Sequence, residues 1–224
     1  MPEPQIDLNY EIIYEDDSIV IVNKSGNCPV HEGGLYKENC LTRILEKKLG
    51  YRVFPVYRID RETSGSVVFA KDNSKVDEIS KKLGQKEYIS VCKGKIDSET
   101  IIDKPIGECK GDNINWKKCI DEGGKPAKTI IIPLKSGKEY SIIKAVPFTG
   151  RQHQIRVHLS SIGHPIVGDK IYEDDSVFKK YIEGKEIHGI AKRQALHLGS
   201  IEYDKKIIVS EIPDDIKEMI RKLF

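Results

Sequence analysis

Long hydrophobic runs are missing from this chain of 224 residues. No stretch approaches the roughly 18 consecutive apolar residues that a membrane-spanning helix needs. The first five residues hold no basic segment followed by an apolar one, so we expect no secretory signal. Cysteine is scarce and has no C-x-x-C spacing; the five thiols are Cys28, Cys40, Cys92, Cys109 and Cys119. This pattern argues against a disulfide scaffold or a zinc ribbon and predicts reduced thiols in the cytoplasm.

Basic and acidic residues nearly balance, 37 against 35, but their distribution along the chain is uneven. Residues 1–30 hold one lysine against six acids, whereas residues 51–95 hold ten basic and six acidic residues. Residues 110–170 hold eleven basic and five acidic residues. Segregation of this kind predicts a basic face that attracts polyanions. Lysines that only solvate loops and helix faces would give the same pattern.

Short apolar segments separated by polar turns predict more strands than helices, without the regular strand–helix alternation of a doubly wound fold. We expect a hairpin of residues 12–14 and 18–22, and strands at Val53–Ile59, Ser66–Ala70, Tyr88–Cys92 and Thr129–Leu134. We expect helices at Leu41–Leu49, at Val76–Leu83 with Gly84 as its stop, and from Pro213 to the end of the chain. This order favours the α+β class, as a single domain with a mixed or mostly antiparallel sheet and flanking helices.

The sequence Tyr-Glu-Asp-Asp-Ser occurs twice, at residues 14–18 and 172–176. A calcium-binding loop spreads its ligands over about twelve residues around a central glycine, which neither copy has. We therefore interpret both copies as solvated turns.

Residues 56–65 contain the first candidate for chemistry. An apolar strand is expected to end in Asp60, which stands between Arg58 and Arg61. Neighbouring positive charges favour the ionised carboxylate, which suits a nucleophile or a fixed anion better than a general acid. A structural aspartate that caps a turn is the alternative. Ser64 lacks the G-x-S-x-G setting of a hydrolase nucleophile.

Residues 149–163 contain the second candidate. Thr149 and Gln152 have the spacing of a capping box, which predicts that a helix begins there and ends at Gly163. Its buried face would consist of Ile155, Leu159 and Ile162, and another face would carry His153, Arg156 and Ser160. An arginine one turn into the helix can pair with a carboxylate through its planar fork. His153 and His158 are five residues apart and fall on different faces, so no metal site is expected.

Together, the two segments resemble the signatures of the RluA-type pseudouridine synthases. Residues 57–65, Y-R-I-D-R-E-T-S-G, are similar to the family's H-R-L-D-R-x-T-S-G, and residues 150–158, G-R-Q-H-Q-I-R-V-H, to its G-R-x-H-Q-I-R-V-H. Shorter stretches are similar to further family motifs in the same order: Val22-Asn23-Lys24 with Gly26 and His31, Lys86-Glu87-Tyr88, Gly163 to Asp169, and Ala195-Leu196-His197. The resemblance extends from about Tyr10 to Pro213.

The resemblance implies an isomerase without cofactor or metal, whose catalytic cleft converts uridine in RNA into pseudouridine. By motif position, Asp60 would attack ribose C1′ or uracil C6, Arg156 would keep its carboxylate ionised, and Tyr88 would lie against the base. Leu196 would pack on the uracil, and Arg58 would fill the stack that the flipped base leaves. The same motifs imply substrate-binding roles for Arg61, Thr63, Gly65, Arg151 and His153. A stacked base must be flipped out before it can react, at a cost of a few kcal/mol.

The sequence departs from the family pattern at Tyr57, Ile59 and Ser25, where the family has histidine, leucine and proline. We expect one catalytic domain over residues 1–224, without an N-terminal S4-type RNA-binding domain, acting on ribosomal or transfer RNA as a cytoplasmic monomer. A catalytically silent RNA-binding or RNA-chaperone protein of the same fold is the alternative, and only Tyr57 favours it. The six histidines lack the spacing of metal ligands, which argues against a metal-dependent hydrolase.

Overall fold

The computed structural model describes residues 2–109 and 116–224. These residues form twelve strands and five helices: β1 Tyr10–Glu15, β2 Ile19–Lys24, α1 Leu41–Leu49, β3 Phe54–Pro55, β4 Ser64–Ala70, α2 Val76–Lys82, β5 Leu83–Lys93, β6 Thr100–Asp103, β7 Ile106–Glu108, β8 Lys118–Ile120, β9 Lys128–Ser136, β10 Tyr140–Pro147, α3 Gln154–Ser161, α4 Asp175–Ile182, β11 Leu196–Tyr203, β12 Lys206–Val209 and α5 Asp214–Leu223. Among the helices described, none has both the length and the hydrophobicity to cross a bilayer.

The chain folds into two compact units, and neither unit is one continuous stretch of sequence. Unit 1 contains Met1–Lys86 and His197–Pro213, and unit 2 contains Glu87–Leu196 and Asp214–Phe224. Within unit 1, β4 and β11 run parallel, whereas β1 with β2 and β2 with β4 run antiparallel. The strand pairs of unit 2 run antiparallel. The α+β class with mixed, mostly antiparallel pairing is confirmed; one catalytic domain over residues 1–224 stays a prediction.

Unit 1 is built on strands in the order β1-β2-β4-β11, with β3 beside β4 and β12 beside β11. Successive side chains of a strand point to opposite faces. On one face, Val20 and Val67 pack with Leu45 of α1. On the other face, Ile21 packs with Ile79 of α2. Because both faces are covered, β2 is an almost continuous apolar run rather than an alternating one.

Unit 2 contains the antiparallel order β5-β10-β9-β6 and a separate hairpin of β7 and β8. Its main core joins Ile131 and Ile143 of the sheet with Leu159 of α3 and Met219 of α5. The apolar face predicted for α3 is therefore confirmed, and α5 buries Ile216 and Met219. A smaller cluster under the β7–β8 hairpin contains Ile106, Val157 and Tyr172.

Several other predicted elements are confirmed. The first hairpin is β1 and β2, and the predicted strands at 66–70, 88–92 and 129–134 lie within β4, β5 and β9. The helix α1 ends where predicted, because Gly50 takes the left-handed conformation with φ 78°. Glycine adopts this conformation without the steric cost that a Cβ brings.

Two element boundaries were predicted wrongly in unit 1. The strand expected at Val53–Ile59 is only the two-residue β3. The chain leaves the sheet at Tyr57. There the Ser66 carbonyl of β4 accepts the hydroxyl of the Tyr57 side chain at 2.6 Å, and not a backbone N–H. The helix α2 ends at Lys82, and Gly84 lies inside β5. A Cβ at Gly84 would meet the flexible carboxylate end of the Glu202 side chain, and the residue is part of a strand rather than a helix stop.

Two local motifs of unit 2 also differ from their prediction. The capping box is wrong, because α3 begins at Gln154 and its N-cap is His153 in the left-handed conformation, with φ 57°. The second Tyr-Glu-Asp-Asp-Ser copy is not a simple turn. Its Asp174 caps α4, accepting the backbone N–H of Val177 at 2.9 Å. The first copy is the predicted turn, in which Asp16 accepts two backbone N–H groups.

Candidate active site

The segment that carries Asp60 is a loop, residues 56–63, between β3 and β4. Asp60 is half-buried, and its carbonyl accepts the backbone N–H of Thr63 at 3.1 Å, which closes a tight turn. Thr63 is buried, whereas Arg58 is exposed. The aspartate is therefore held on a turn and not at a strand end, as the sequence had suggested.

Lys24 fixes this turn from the end of β2. Only 1% of this lysine is exposed, and its Nζ donates to the carbonyls of Ser25 at 2.8 Å and Arg61 at 3.0 Å. The N–H of Cys28 donates to the same Arg61 carbonyl at 3.1 Å. A lysine is almost never this buried unless its charge is satisfied by partners. The carbonyl next to Asp60 is thus held by two donors from another part of unit 1.

The two arginines beside Asp60 are both bound by side chains from residues 31–36. The Nη1 of Arg58 lies 2.5 Å from Nε2 of His31, and burial together with the Arg58 charge lowers the pKa of that imidazole. A neutral ring can accept this hydrogen bond at Nε2. The Nη1 of Arg61 donates to the hydroxyl of Tyr36 at 2.6 Å, and its guanidinium lies 5.8 Å from the centre of that ring.

Gly65 has a structural reason to be glycine. Its φ is 114°, and a Cβ there would lie 2.3 Å from the carbonyl oxygen of Leu198 on β11. The neighbouring Ser64 is buried and its hydroxyl lies 3.0 Å from Nδ1 of His197, whose Nε2 lies 3.2 Å from the Ser210 carbonyl. Ser64 and Gly65 of the signature therefore pack the end of the loop against β11. A substrate contact of Gly65 stays a prediction.

Tyr57 stands where the related family has histidine, and the structure gives it a firm position. Besides its hydrogen bond to Ser66, its ring lies 4.8 Å below the Nζ of Lys86. Burial lowers the pKa of Lys86. A cation over a tyrosine face is attracted by the ring quadrupole. The departure from the family pattern therefore anchors the loop that carries Arg58, and it does not favour a silent protein.

In unit 2, the turn before α3 is fixed by Gln154. Its Oε1 accepts the hydroxyl of Thr149 at 2.7 Å and the N–H of Arg151 at 3.0 Å, and its Nε2 donates to the Lys128 carbonyl at 3.0 Å. Arg151 is exposed, and its Nε donates to the carbonyl of Pro126 at 3.0 Å. Gln154 thus makes the side-chain hydrogen bonds at the start of α3 that the predicted capping box had assigned to Gln152.

Arg156 is buried and bound by Asp169. Only 4% of Arg156 is exposed and none of Asp169. The Nε and Nη2 of Arg156 donate to the two carboxylate oxygens at 2.7 and 2.9 Å. Asp169 also accepts the N–H groups of Ile171 at 3.0 Å and Tyr172 at 3.2 Å. A bidentate pair of this kind fixes the orientation of the guanidinium as well as its charge.

Tyr172 is the common partner of the polar face predicted for α3. Its hydroxyl lies 2.8 Å from Nδ1 of His153, its ring centre lies 5.0 Å from the Arg156 guanidinium, and its carbonyl accepts the hydroxyl of Ser160 at 3.2 Å. Burial raises the pKa of this phenol. His153, Arg156 and Ser160 therefore share one face, as predicted.

Tyr88 and Leu196 belong to the same core of unit 2. Leu196 is buried in it, and the half-buried Tyr88 packs against it. The N–H of Val91 donates to the carbonyl of Ala195 at 3.1 Å, which sets β5 beside the residue before Leu196. The ring that would touch the base and the side chain that would pack on it are thus supported by one apolar cluster.

The predicted site residues fall into two sets. Unit 1 holds Arg58, Asp60, Arg61, Thr63 and Gly65; unit 2 holds Tyr88, Arg151, His153, Arg156 and Leu196. The contact of Asp60 with Arg156 stays a prediction. In the part of the chain that the structure describes, no three histidine, cysteine or carboxylate side chains are grouped as metal ligands. The roles of Lys24, Asp169 and Tyr172 were not predicted, although the first two stand in stretches that are similar to family motifs.

Comparison with known proteins agrees with these motifs. The model of the RNA pseudouridylate synthase family matches residues 18–161. The mitochondrial tRNA pseudouridine(32) synthase of Saccharomyces cerevisiae is 39% identical over 175 residues, which cover 75% of this chain and 38% of the yeast protein. The dual-specificity RNA pseudouridine synthase RluA of Vibrio vulnificus is 33% identical over 239 residues, covering 99% of this chain and 91% of that protein.

A solved structure supports the fold. Human RNA pseudouridylate synthase domain containing 1 has a TM-score of 0.74 and 24% sequence identity, covering 95% of this chain and 86% of the human one. The matched region of 144 residues, 18–161, is more than half of the 224 in the chain and includes both signature segments. On this ground, the chain is a member of the RNA pseudouridylate synthase family.

Proposed function

We propose that this chain isomerises uridine in RNA to pseudouridine, with Asp60 as the catalytic aspartate. The observation that carries the proposal is the turn 60–63, which lies inside the matched family region and is held by the buried Lys24. A nucleophile is effective when its supporting residues fix it in place before substrate arrives. The two signature segments resemble the family's motifs, with departures at Tyr57 and Ile59, and hydrogen bonds from Lys24 and Gln154 hold the turns in them.

In the proposed reaction, the Asp60 carboxylate attacks either ribose C1′ or uracil C6. The bond from C1′ to N1 breaks, the uracil turns, and a new bond joins C1′ to C5. The bond between Asp60 and the carbon that it attacked also breaks, which returns the free carboxylate. The C5 proton leaves and N1 is protonated, so the reaction has no net loss of atoms and needs no oxidant. We propose that Tyr88 lies against the base and assists removal of the C5 proton, with Leu196 packed on the ring.

We propose Arg156 as the cation that keeps Asp60 ionised. Two of its nitrogens are held by Asp169, and its plane lies against Tyr172. An arginine in a bidentate pair keeps a fixed direction, which a lysine at the same position would not. A buried guanidinium is costly, and stabilisation of a catalytic carboxylate gives a reason to retain it.

We propose structured RNA, transfer or ribosomal, as the substrate. The yeast relative carries tRNA in its name, and the Vibrio relative is described as dual-specificity. Extrusion of the target base would be accompanied by insertion of Arg58, which is exposed on the Asp60 loop. A cytoplasmic monomer completes the proposal; the five free thiols fit a reducing compartment, and cell fractionation and gel filtration would test it.

The test uses RNA transcripts labelled with tritium at uracil C5, because isomerisation releases that hydrogen and binding alone does not. We expect the wild-type chain to release tritium and Asp60→Asn to release none, with RNA affinity and thermal stability nearly unchanged. Asp17→Asn, at an exposed turn, is the matched control and should keep full activity. Tritium release by Asp60→Asn at the wild-type rate would remove Asp60 from the proposal. A wild-type chain that binds RNA but releases no tritium from either transfer or ribosomal RNA transcripts would favour the silent alternative.

A further inference from the structure

Arg58 is an exposed cation on the Asp60 loop, and its hydrogen-bond partner is an imidazole ring. In the described part of the chain, its guanidinium is bound by His31 rather than by a carboxylate. Arg156, by contrast, donates from two of its nitrogens to Asp169. A carboxylate partner would compete with an RNA phosphate for the guanidinium, whereas an uncharged acceptor leaves its positive charge uncompensated. Arg58 is therefore held in position and remains available to an anionic ligand.

The contact between His31 and Arg58 depends on the charge of the imidazole. The Nε2 of His31 lies 2.5 Å from Nη1 of Arg58. Because a guanidinium can only donate, Nε2 accepts this hydrogen bond, which requires the unprotonated ring. Burial and then the Arg58 charge lower the pKa of His31. Glu32 acts in the opposite direction, and its carboxylate is bound by Arg43 of α1 at 3.0 Å. With a pKa below the ordinary value of about 6.5, the ring is neutral at about pH 7.

The segment that carries this histidine is ordered. The hydroxyl of Tyr36 accepts Nη1 of Arg61 at 2.6 Å, which is a second contact with the same loop. Gly33 and Tyr36 exchange backbone hydrogen bonds at 2.8 and 3.0 Å. The carboxylate of Glu3 accepts the backbone N–H groups of residues 37–39 at 3.0, 3.0 and 2.8 Å. An acceptor on an ordered segment can fix the direction of a long side chain.

We infer that His31 is a positioning residue, which holds Arg58 in the exposed orientation from which it enters the RNA when the target base leaves its stack. Ordering a long side chain before RNA binds removes a cost that would otherwise oppose binding. Protonation of the ring would remove the acceptor and bring two positive charges together, so the same contact makes RNA binding sensitive to pH. The inference rests on the proposed function, and it assigns a role to a residue outside the sites proposed there.

Binding of a tRNA transcript tests the inference without turnover. Each chain carries Asp60→Asn as the background, and its affinity is measured by filter retention at a pH above the pKa of the ring. We expect His31→Ala to weaken binding about tenfold, and Arg58→Ala to weaken it at least as much. The double variant should bind no more weakly than Arg58→Ala, because the imidazole acts through the guanidinium. His31→Gln, whose amide oxygen also accepts a hydrogen bond, should bind about as tightly as the background chain.

Tritium release by chains that keep Asp60 gives the pH dependence. The ratio of kcat/KM between wild type and His31→Gln should be constant above about pH 7 and should fall about tenfold by about pH 5, because only the histidine takes up a proton. Other groups titrate in both chains and cancel in the ratio. His188→Gln, at a histidine whose side chain is 82% exposed, is the control, and its ratio to wild type should not change with pH.

The outcomes separate this inference from the proposed function. Losses of affinity that add in the double variant would overturn the inference, since His31 would then act by another route. Binding of His31→Ala as tight as that of the background chain would also overturn it, as would a ratio of kcat/KM that stays constant down to about pH 5. If the losses do not add but the wild type releases no tritium, His31 keeps its role and the proposed function fails. Circular dichroism of each variant shows whether it is folded.

Discussion

Substituting Asp169 by asparagine removes the charge from a fully buried ion pair. The side chains of Arg156 and Asp169 are 5% and 0% exposed, and the carboxylate accepts four hydrogen bonds. The asparagine side chain has only one oxygen, so its amide nitrogen would lie against an N–H group that donated to the carboxylate. Breaking one partner out of a buried pair costs about 3–5 kcal/mol. For a chain of this length, that corresponds to a fall in Tm of about 10 °C.

Asp215 provides a control with the same geometry and different burial. It binds Arg193 through Nε at 2.7 Å and Nη2 at 2.9 Å, the same two distances, but its side chain is 53% exposed. The Arg193 side chain is only 10% exposed, so the two pairs differ mainly in the exposure of the carboxylate. Water can reach the Asp215 side and replace the lost contact, and pairs that water screens contribute about 0–1 kcal/mol. Asp215→Asn should therefore lower Tm by no more than about 3 °C.

Thermal unfolding of the two variants in one buffer, followed by circular dichroism, gives the comparison. Tritium release is then measured at a temperature where both variants are folded. We expect Asp169→Asn to lose turnover, because Arg156 is no longer oriented, and Asp215→Asn to keep it. Equal shifts of Tm in the two variants would refute the reasoning that burial, and not the hydrogen-bond pattern, sets the cost.

Two further predictions follow from the same units. Gly65→Ala should destabilise unit 1 by several kcal/mol, because its Cβ would lie 2.3 Å from the Leu198 carbonyl oxygen. The control is Gly163→Ala, where φ is 80° but the space around the Cβ is open; it should cost about 1 kcal/mol. Urea unfolding measures both free energies. Burial lowers the pKa of His158 in the folded chain. As pH falls, the unfolded chain therefore binds a proton at this histidine before the folded chain does. The contribution of the neutral His158 to the free energy of unfolding is present above about pH 6.5 and is lost below it. Urea midpoints between about pH 7.5 and about pH 5 should fall less for His158→Gln than for wild type, and identical slopes would contradict this.

Patterns of hydrophobicity were enough to predict the elements whose faces are buried on their own unit. The helix α1, the hairpin of β1 and β2, and the apolar face of α5 follow from spacing alone, because burial of a periodic stripe decides their conformation. The boundaries failed where one side chain replaces a backbone contact. The Tyr57 hydroxyl donates to the Ser66 carbonyl, and Gln154 makes the hydrogen bonds that a capping box would have made. Neither hydrogen bond produces a periodic pattern in the sequence.

The site residues were found by motif, whereas their supports were not. Lys24 and Asp169 have the polarity of surface residues, and only the folded chain shows that 1% and 0% of them are exposed. Tyr172 belongs to the repeated Tyr-Glu-Asp-Asp-Ser sequence, which looks like a solvated turn. Its contacts with His153, Arg156 and Ser160 join residues 12 to 19 positions apart, and contacts at such separations leave no local pattern in the sequence.

The discontinuous make-up of unit 1 has a consequence for synthesis of the chain. Ser64 on β4 meets His197 on β11 across 133 residues. The Ser64–Gly65 end of this β4 edge, which β3 does not cover, therefore has no partner of its own unit until the ribosome has made that whole interval. At about 5–20 residues per second, the delay is of the order of ten seconds. A nascent strand with an open edge attracts other strands, so premature termination anywhere before residue 197 would release an aggregation-prone fragment.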